Sequence, residues 1–212
     1  SDAQGKFEFN QLPPGDAYAL EVNVPGFNPV KKGGITLNVG QTTPVDIHLA
    51  LMTETAASLL HMDYTGAPAR LLALCFGAED LSADLGVVPR DGDGRYAGPV
   101  SAARAATVIA AAAAGVPALD TPWPDPRDPA GLAQEAGRAA RDGFAGKLCI
   151  HPDQVGPVNA AFTPSAERVG WARQVVAGFE ARPDAGVFAL DGKMIDRPHL
   201  KLAYRILAAM PG

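Results

Sequence analysis

Cysteine is scarce in this chain, with two residues, Cys75 and Cys149, among 212. So few cannot build a disulfide framework, and neither has the basic neighbours or ligand spacing of a reactive or metal-bound thiol. Both lie inside apolar, strand-like runs, which predicts buried free thiols and a reducing compartment. Long hydrophobic runs are also lacking, since nothing approaches the ~18 apolar residues that read as a membrane span. The Ala-rich stretch 102–114 comes nearest, but it carries Arg104 and is only mildly apolar. The N-terminal residues lack the basic, apolar and cleavage-site order of a signal peptide. The expectation is a cytoplasmic chain with no membrane partner. Positive charge is in deficit, 18 Lys and Arg against 23 Asp and Glu, for a net charge of −5. That balance argues against nucleic acid as a partner. No dinucleotide fingerprint or phosphate loop is present. Apolar residues are plentiful at 47%, enough for a packed core in one large or two small domains.

The first 48 residues differ from the rest. Gly5-Lys6-Phe7-Glu8-Phe9 alternates with period two, Leu12-Pro13-Pro14-Gly15 is a turn, and residues 18–24 alternate again before Pro25-Gly26-Phe27. Residues 35–39 and 45–49 follow at short intervals. Alternating runs between Pro/Gly turns predict an antiparallel, half-buried sheet. Gly-Lys-Phe-Glu-Phe, Leu-Pro-Pro-Gly and Val-Pro-Gly-Phe together resemble the carboxypeptidase regulatory-like β-sandwich repeat over residues 4–50, short of its first strands. That resemblance implies a structural or binding module without chemistry, so residues 1–48 and 49–212 are expected to be separate domains.

The second part is organised around Leu71-Leu72-Ala73-Leu74-Cys75-Phe76, a run that breaks at Gly77 and delivers Glu79 and Asp80 at its exit. A continuous apolar run of this length reads as a strand buried on both faces, as in parallel sheets. Another short run, Leu49-Ala50-Leu51-Met52-Thr53, ends at Glu54. The interval between the runs has room for one helix and one return strand. If the two are parallel neighbours, Glu54 and Asp80 emerge on the same rim, where α/β barrels keep their chemistry. Two carboxylates there make a site for a hard metal.

Helical signals dominate from there on. Ser101 is the expected cap of a helix over 102–114, with Gly115 beyond its end. Asp128-Pro129 opens a helix closing at Gly143. Residues 116–120 read as a short strand, and so do 147–150, ending in His151-Pro152. Thr163-Pro164 starts a helix running to Ala181, residues 187–190 form a late strand, and a final helix covers 197–210. This alternation is that of βαβ units. The loop 84–99, including Asp91-Gly92-Asp93-Gly94, lacks the later Glu of a calcium loop and reads as a solvated loop.

Five ordered stretches resemble the citrate lyase beta-subunit family, which includes malyl-CoA and citramalyl-CoA lyases. They are Glu54-Thr55-Ala56; Phe76-Gly77-Ala78-Glu79-Asp80-Leu81; Ala118-Leu119-Asp120-Thr121-Pro122; Gly143-Phe144-Ala145-Gly146-Lys147 with Ile150-His151-Pro152; and Asp191-Gly192-Lys193-Met194-Ile195-Asp196. The resemblance spans residues 51–210 and implies the C-terminal half of a (βα)8 TIM-type barrel with a C-terminal extension, in a homo-oligomer. It further implies a carbon–carbon lyase or condensing enzyme acting on CoA thioesters and a 2-oxo acid. Glu54 and Asp80 are then the Mg2+ ligands, and Asp196 takes part in proton transfer in a neighbouring subunit's pocket. Backbone N–H groups at Ala78 and Glu79 hold the oxo acid's carboxylate at the helix start. His151 and Pro152 lie where relatives place the CoA adenine.

Plainer readings stand beside these. Asp80 reads as a helix N-cap, Glu54 as a surface acid, Asp196 before Arg197-Pro198 as an N-cap, and His151 as a hydrogen-bonded loop histidine. Asp120 reads as a pocket acid or a loop cap, and Lys147 as a phosphate contact or a solvated lysine. His48, His61 and His199 show no ligand spacing. The family's earlier strands and substrate-binding arginine do not precede Glu54, and Arg70 and Arg90 occupy other positions. The rival functions are a non-catalytic β module fused to a degraded barrel scaffold and an aldolase acting on free acids.

Overall fold

Two apolar runs pair in parallel to found the central sheet. In the computed structural model, which describes residues 7–22, 30–45, 49–64, 71–92 and 94–210, strand β3 (Leu49–Thr53) lies beside β4 (Leu71–Phe76). β5 (Ala118–Asp120) and β6 (Gly146–Lys147) extend the sheet in the order β3-β4-β5-β6, all parallel. Ala73, Leu74, Cys75 and Phe76 are consecutively buried, as expected of a strand covered on both faces. The register sets Thr53 opposite Phe76, so Glu54 and Gly77 leave the sheet side by side.

Short helices carry the chain between these strands. α1 (Ala56–Leu60) follows β3, and α2 (Ala78–Leu85) follows β4 directly. α3 (Gly98–Ala114) buries Val100, Ala103, Arg104, Thr107, Ala110 and Ala111, a stripe at helical spacing that packs on β4 and β5. It begins three residues before the expected cap: Pro99 is tolerated in the first turn, and Ser101 is already inside, its N–H bonded to the carbonyl of Ala97. Gly115 closes it in the left-handed region, φ 74°.

The chain divides into two compact units, Ser1–Pro122 with Arg141–Leu148, and Trp123–Ala140 with Cys149–Gly212. The first contains the parallel sheet and also an antiparallel pair, β1 (Gly15–Val22) and β2 (Val30–Leu37). Phe7–Phe9 is not a strand; the two rings tilt against each other at 5.9 Å instead. The expected turn at 25–27 and most of the run 45–49 lie outside the described residues.

The second unit holds α4 (Pro129–Asp142) apart from its last residues, a single 3-10 turn (Pro152–Gln154), α5 (Val155–Phe162), α6 (Ala166–Glu180) and α7 (Arg197–Ala208). The hairpin of β7 (Val187–Leu190) and β8 (Lys193–Asp196) completes it. Val169, Ala172, Val175 and Phe179 of α6 meet Ile195, Ala203 and Ile206 in its core. The α6 cap is Ser165, whose Oγ accepts from the Arg168 N–H, while Thr163 bonds back to the Asn159 carbonyl at the end of α5. The expected strand at 147–150 stops at Lys147. Beyond it the Ile150 N–H is taken by the side chain of the buried Gln154, which also donates to the Trp123 carbonyl. Cys149 is therefore exposed, not buried, whereas Cys75 is buried as expected.

Candidate active site

The site starts from Thr53, the last residue of β3. Its hydroxyl is fully buried, 2.8 Å from that of Thr107 on α3 and 3.2 Å from the Cys75 carbonyl it donates to. These contacts fix the end of β3 against β4 and α3, and Glu54 follows at once. On its other side, Thr55 forms a capping box with Ser58 at the start of α1. Glu54 is thus held between two ordered residues.

Gly77 faces it across the sheet end. A Cβ there would lie 2.6 Å from the Glu54 Cβ and 2.9 Å from Glu54 Oε2. The glutamate side chain occupies the space that glycine leaves. Gly77 is also the N-cap of α2, so Asp80 stands in the first turn of that helix, not at its cap. Burial first, and then the negative charge of Asp80, push the Glu54 carboxyl above the ordinary glutamate range. Both residues thus leave the same end of neighbouring strands, and Glu54 feels the charge of Asp80. Burial and the charge of Glu54 likewise raise the Cys75 thiol.

One expectation about the start of α2 changes. Ala78 is fully buried and its N–H donates to Thr121 Oγ1 at 3.1 Å, so that group is committed to the fold. The Glu79 side chain turns to Arg90, with Nη1 to Oε1 at 3.1 Å. Arg90 in turn lies 4.5 Å over the Tyr96 ring and donates to its hydroxyl.

At the ends of β5 and β6 lies a charge cluster that neither reading of Asp120 or Lys147 described. Asp120 is fully buried, its Oδ1 bonded to Arg104 Nε and its Oδ2 to Lys147 Nζ, each at 2.9 Å. Lys147 is thus a buried partner of Asp120, neither solvated nor set for phosphate. Arg104 also reaches Asp142 at 2.5 Å and lies 4.6 Å over the Phe144 ring. Burial lowers its proton affinity, but Asp120 and Asp142 outweigh that and raise it overall, so it stays charged. Arg104 was hidden in the sequence by the alanines around it.

In the second unit, Asp196 is the N-cap of α7 in a capping box with His199, and its Oδ1 lies 2.5 Å from His199 Nδ1. His199, which has no ligand spacing in the sequence, is thus the partner of Asp196. His151 caps the 3-10 turn, its Nδ1 accepting from the Asp153 N–H, and Pro152 is the first residue of that turn. Among the described residues, no group of three or more His, Cys, Asp or Glu is placed to hold a metal ion. No helix among them is long and apolar enough to cross a membrane.

Residues 27–152 match the HpcH/HpaI aldolase/citrate lyase family, and residues 1–50 match the carboxypeptidase regulatory-like domain. A citrate lyase subunit beta-like protein of Mycobacterium tuberculosis is 38% identical over 157 residues, 74% of this chain and 57% of that protein. An L-malyl-CoA/beta-methylmalyl-CoA lyase of Cereibacter sphaeroides is 31% identical over 204 residues, 89% of this chain and 61% of that protein. The crystal structure of protein CitE from Mycobacterium tuberculosis, in complex with magnesium, acetoacetate and coenzyme A, superposes with a TM-score of 0.65. It is 36% identical, over 78% of this chain and 61% of that one. The α/β fold with its parallel sheet is similar to that of the citrate lyase beta subunit. The chain spans somewhat under two thirds of the length of these relatives.

Proposed function

The chain belongs to the HpcH/HpaI aldolase/citrate lyase family, and we propose that it is a magnesium-dependent carbon–carbon lyase, or in reverse a condensing enzyme, acting on CoA thioesters of hydroxy acids. The observation that carries this reading is that the adjacent parallel strands β3 and β4 end side by side, with Glu54 directly after the one and Asp80 in the first turn of the helix after the other. The donor set fits Mg2+, which takes one or two carboxylates and fills its remaining positions with water and substrate oxygens. When bound, Mg2+ would supply Lewis-acid polarisation of a 2-oxo acid's carbonyl and offset negative charge developing on its oxygen.

The chain's own residues do the rest. Thr53, Thr55 and Gly77 hold Glu54 in place, and Thr121 fixes the first turn of α2, from which Asp80 projects. The Glu79 backbone N–H, next to the committed Ala78, meets the oxo acid's carboxylate. Asp196, oriented by His199, moves a proton to or from the acyl group in the pocket of a second copy of the chain. The loop at His151 and Pro152 takes the CoA adenine by backbone contact. We read the four parallel strands as part of a TIM-type barrel in a homo-oligomer, residues 1–48 as a separate module, and the two free thiols as a mark of the cytoplasm. The match of residues 1–50 to a regulatory-like domain favours one rival, a non-catalytic fusion.

The test is cleavage of malyl-CoA and citramalyl-CoA, and of the corresponding free acids, with Mg2+ and with chelator. Metal-dependent cleavage of the thioesters, lost in Glu54→Gln, is the expected result. Cleavage of the free acids alone would favour an aldolase. No cleavage, with no Mg2+ effect on melting temperature, would leave the non-catalytic fusion.

A further inference from the structure

Asp84 lies one helical turn beyond Asp80 on α2, on the same face of the helix. A carboxylate in a helix's last turn opposes the macrodipole, and α2 has no basic residue there to compensate. Yet Asp84 is engaged: its Oδ2 accepts a hydrogen bond of 2.6 Å from the backbone N–H of Ala56. Ala56 is the first residue of α1, where backbone N–H groups have no partner within the helix. It is also two residues from Glu54. The same short helix that carries Asp80 therefore holds, through Asp84, the chain immediately after Glu54.

From this we propose that Asp84 is a positioning residue that fastens the Glu54 turn to α2 and so presets the spacing of the Glu54–Asp80 pair. The proposal rests on the reading of that pair as an Mg2+ site. Four features then fix Glu54, the Thr55–Ser58 capping box being one. Thr53 is held by Cys75 and Thr107 before it, Gly77 leaves space beside it, and Asp84 holds Ala56 after it. Asp84 is exposed, so its contact can be removed with the buried core left in place. Asp84 acts here through its acceptor oxygen, not its charge. Asparagine keeps an oxygen acceptor and alanine does not.

The experiment compares the wild-type chain with Asp84→Ala, Asp84→Asn and Glu54→Gln by two readouts. The first is amide hydrogen exchange at Ala56 without metal, with Leu74 and Ala111, both buried in the same unit, as internal controls for that unit's stability. The second is Mg2+ affinity by calorimetry. Asp84→Ala is expected to speed Ala56 exchange by roughly tenfold without a matching change at the controls. It is also expected to weaken Mg2+ binding by about tenfold or more, as loss of an outer-shell partner does. Asp84→Asn should stay close to wild type in both. Unchanged Ala56 exchange in Asp84→Ala overturns the proposal. So does equal Mg2+ weakening in Asp84→Ala and Asp84→Asn with Ala56 still protected in the latter, which would make the charge responsible. If the wild type and Glu54→Gln bind no Mg2+, the metal reading of the pair fails, and Ala56 exchange alone decides whether Asp84 fastens the turn.

Discussion

Gly77 and Glu54 are packed so closely that a single added methyl at Gly77 would collide with the base of the glutamate, 2.6 Å from its Cβ. The Glu54 Cβ is anchored to the backbone and cannot swing aside as a side-chain tip would. Gly77→Ala should therefore displace Glu54 or spread β3 from β4. The expected cost is about 1–3 kcal/mol of stability, with weakened Mg2+ binding. Urea unfolding and calorimetry measure both.

The Glu54 carboxyl predicts a pH dependence. Its proton affinity is higher in the folded protein than in the unfolded chain, because of burial and Asp80. Above the ordinary glutamate value of about 4.3, the folded state thus holds more protons than the unfolded, and stability falls as pH rises through that window. Glu54→Gln removes this contribution. Without metal, its melting temperature should exceed that of the wild type at pH 7, and the gap should close near pH 4. Adding Mg2+ should raise the wild type and leave the variant unchanged.

Asp120 neutralises two buried cations, Arg104 and Lys147. Asp120→Ala leaves both without it and should cost about 3–5 kcal/mol. Asp120→Ala combined with Lys147→Met should be less destabilising than Asp120→Ala alone, since one of the two cations that lose Asp120 is removed with it. Urea denaturation of the single and double variants gives the coupling.

The two thiols should differ in reactivity. Cys75 is buried, with its thiol pushed up by burial and Glu54, while Cys149 is exposed. A thiol-specific chromogenic reagent should titrate one group rapidly in the native protein and the second only in denaturant. Cys149→Ser should abolish the rapid phase.

Much of this site was legible because it follows from strand periodicity. The unbroken run at residues 71–76 and the shorter one ending at Thr53 could be paired on paper, and the parallel pairing puts Glu54 beside Gly77. Asp196 as a helix cap could be read from the Arg197-Pro198 that follows it. The polar contacts could not be read in this way. Arg104 is a single charge in an alanine run, and only the fold brings it to Asp120 and Asp142. Lys147 looks like a solvated residue until β6 is set beside β5. The early stop of β6 depends on Gln154, a side chain whose role as a backbone partner leaves no periodic signal. Asp84 was invisible for a related reason: its partner is a backbone N–H on another helix.

The central claim is that Glu54 and Asp80 hold one divalent ion. Calorimetric titration of the chain with Mg2+ in the presence of a 2-oxo acid tests it most directly, with Glu54→Gln and Asp80→Asn run in parallel. The prediction is a single binding event per chain in the wild type, lost in both variants while their folded cores persist by circular dichroism. Binding that survives both substitutions, or no binding by the wild type, would contradict it.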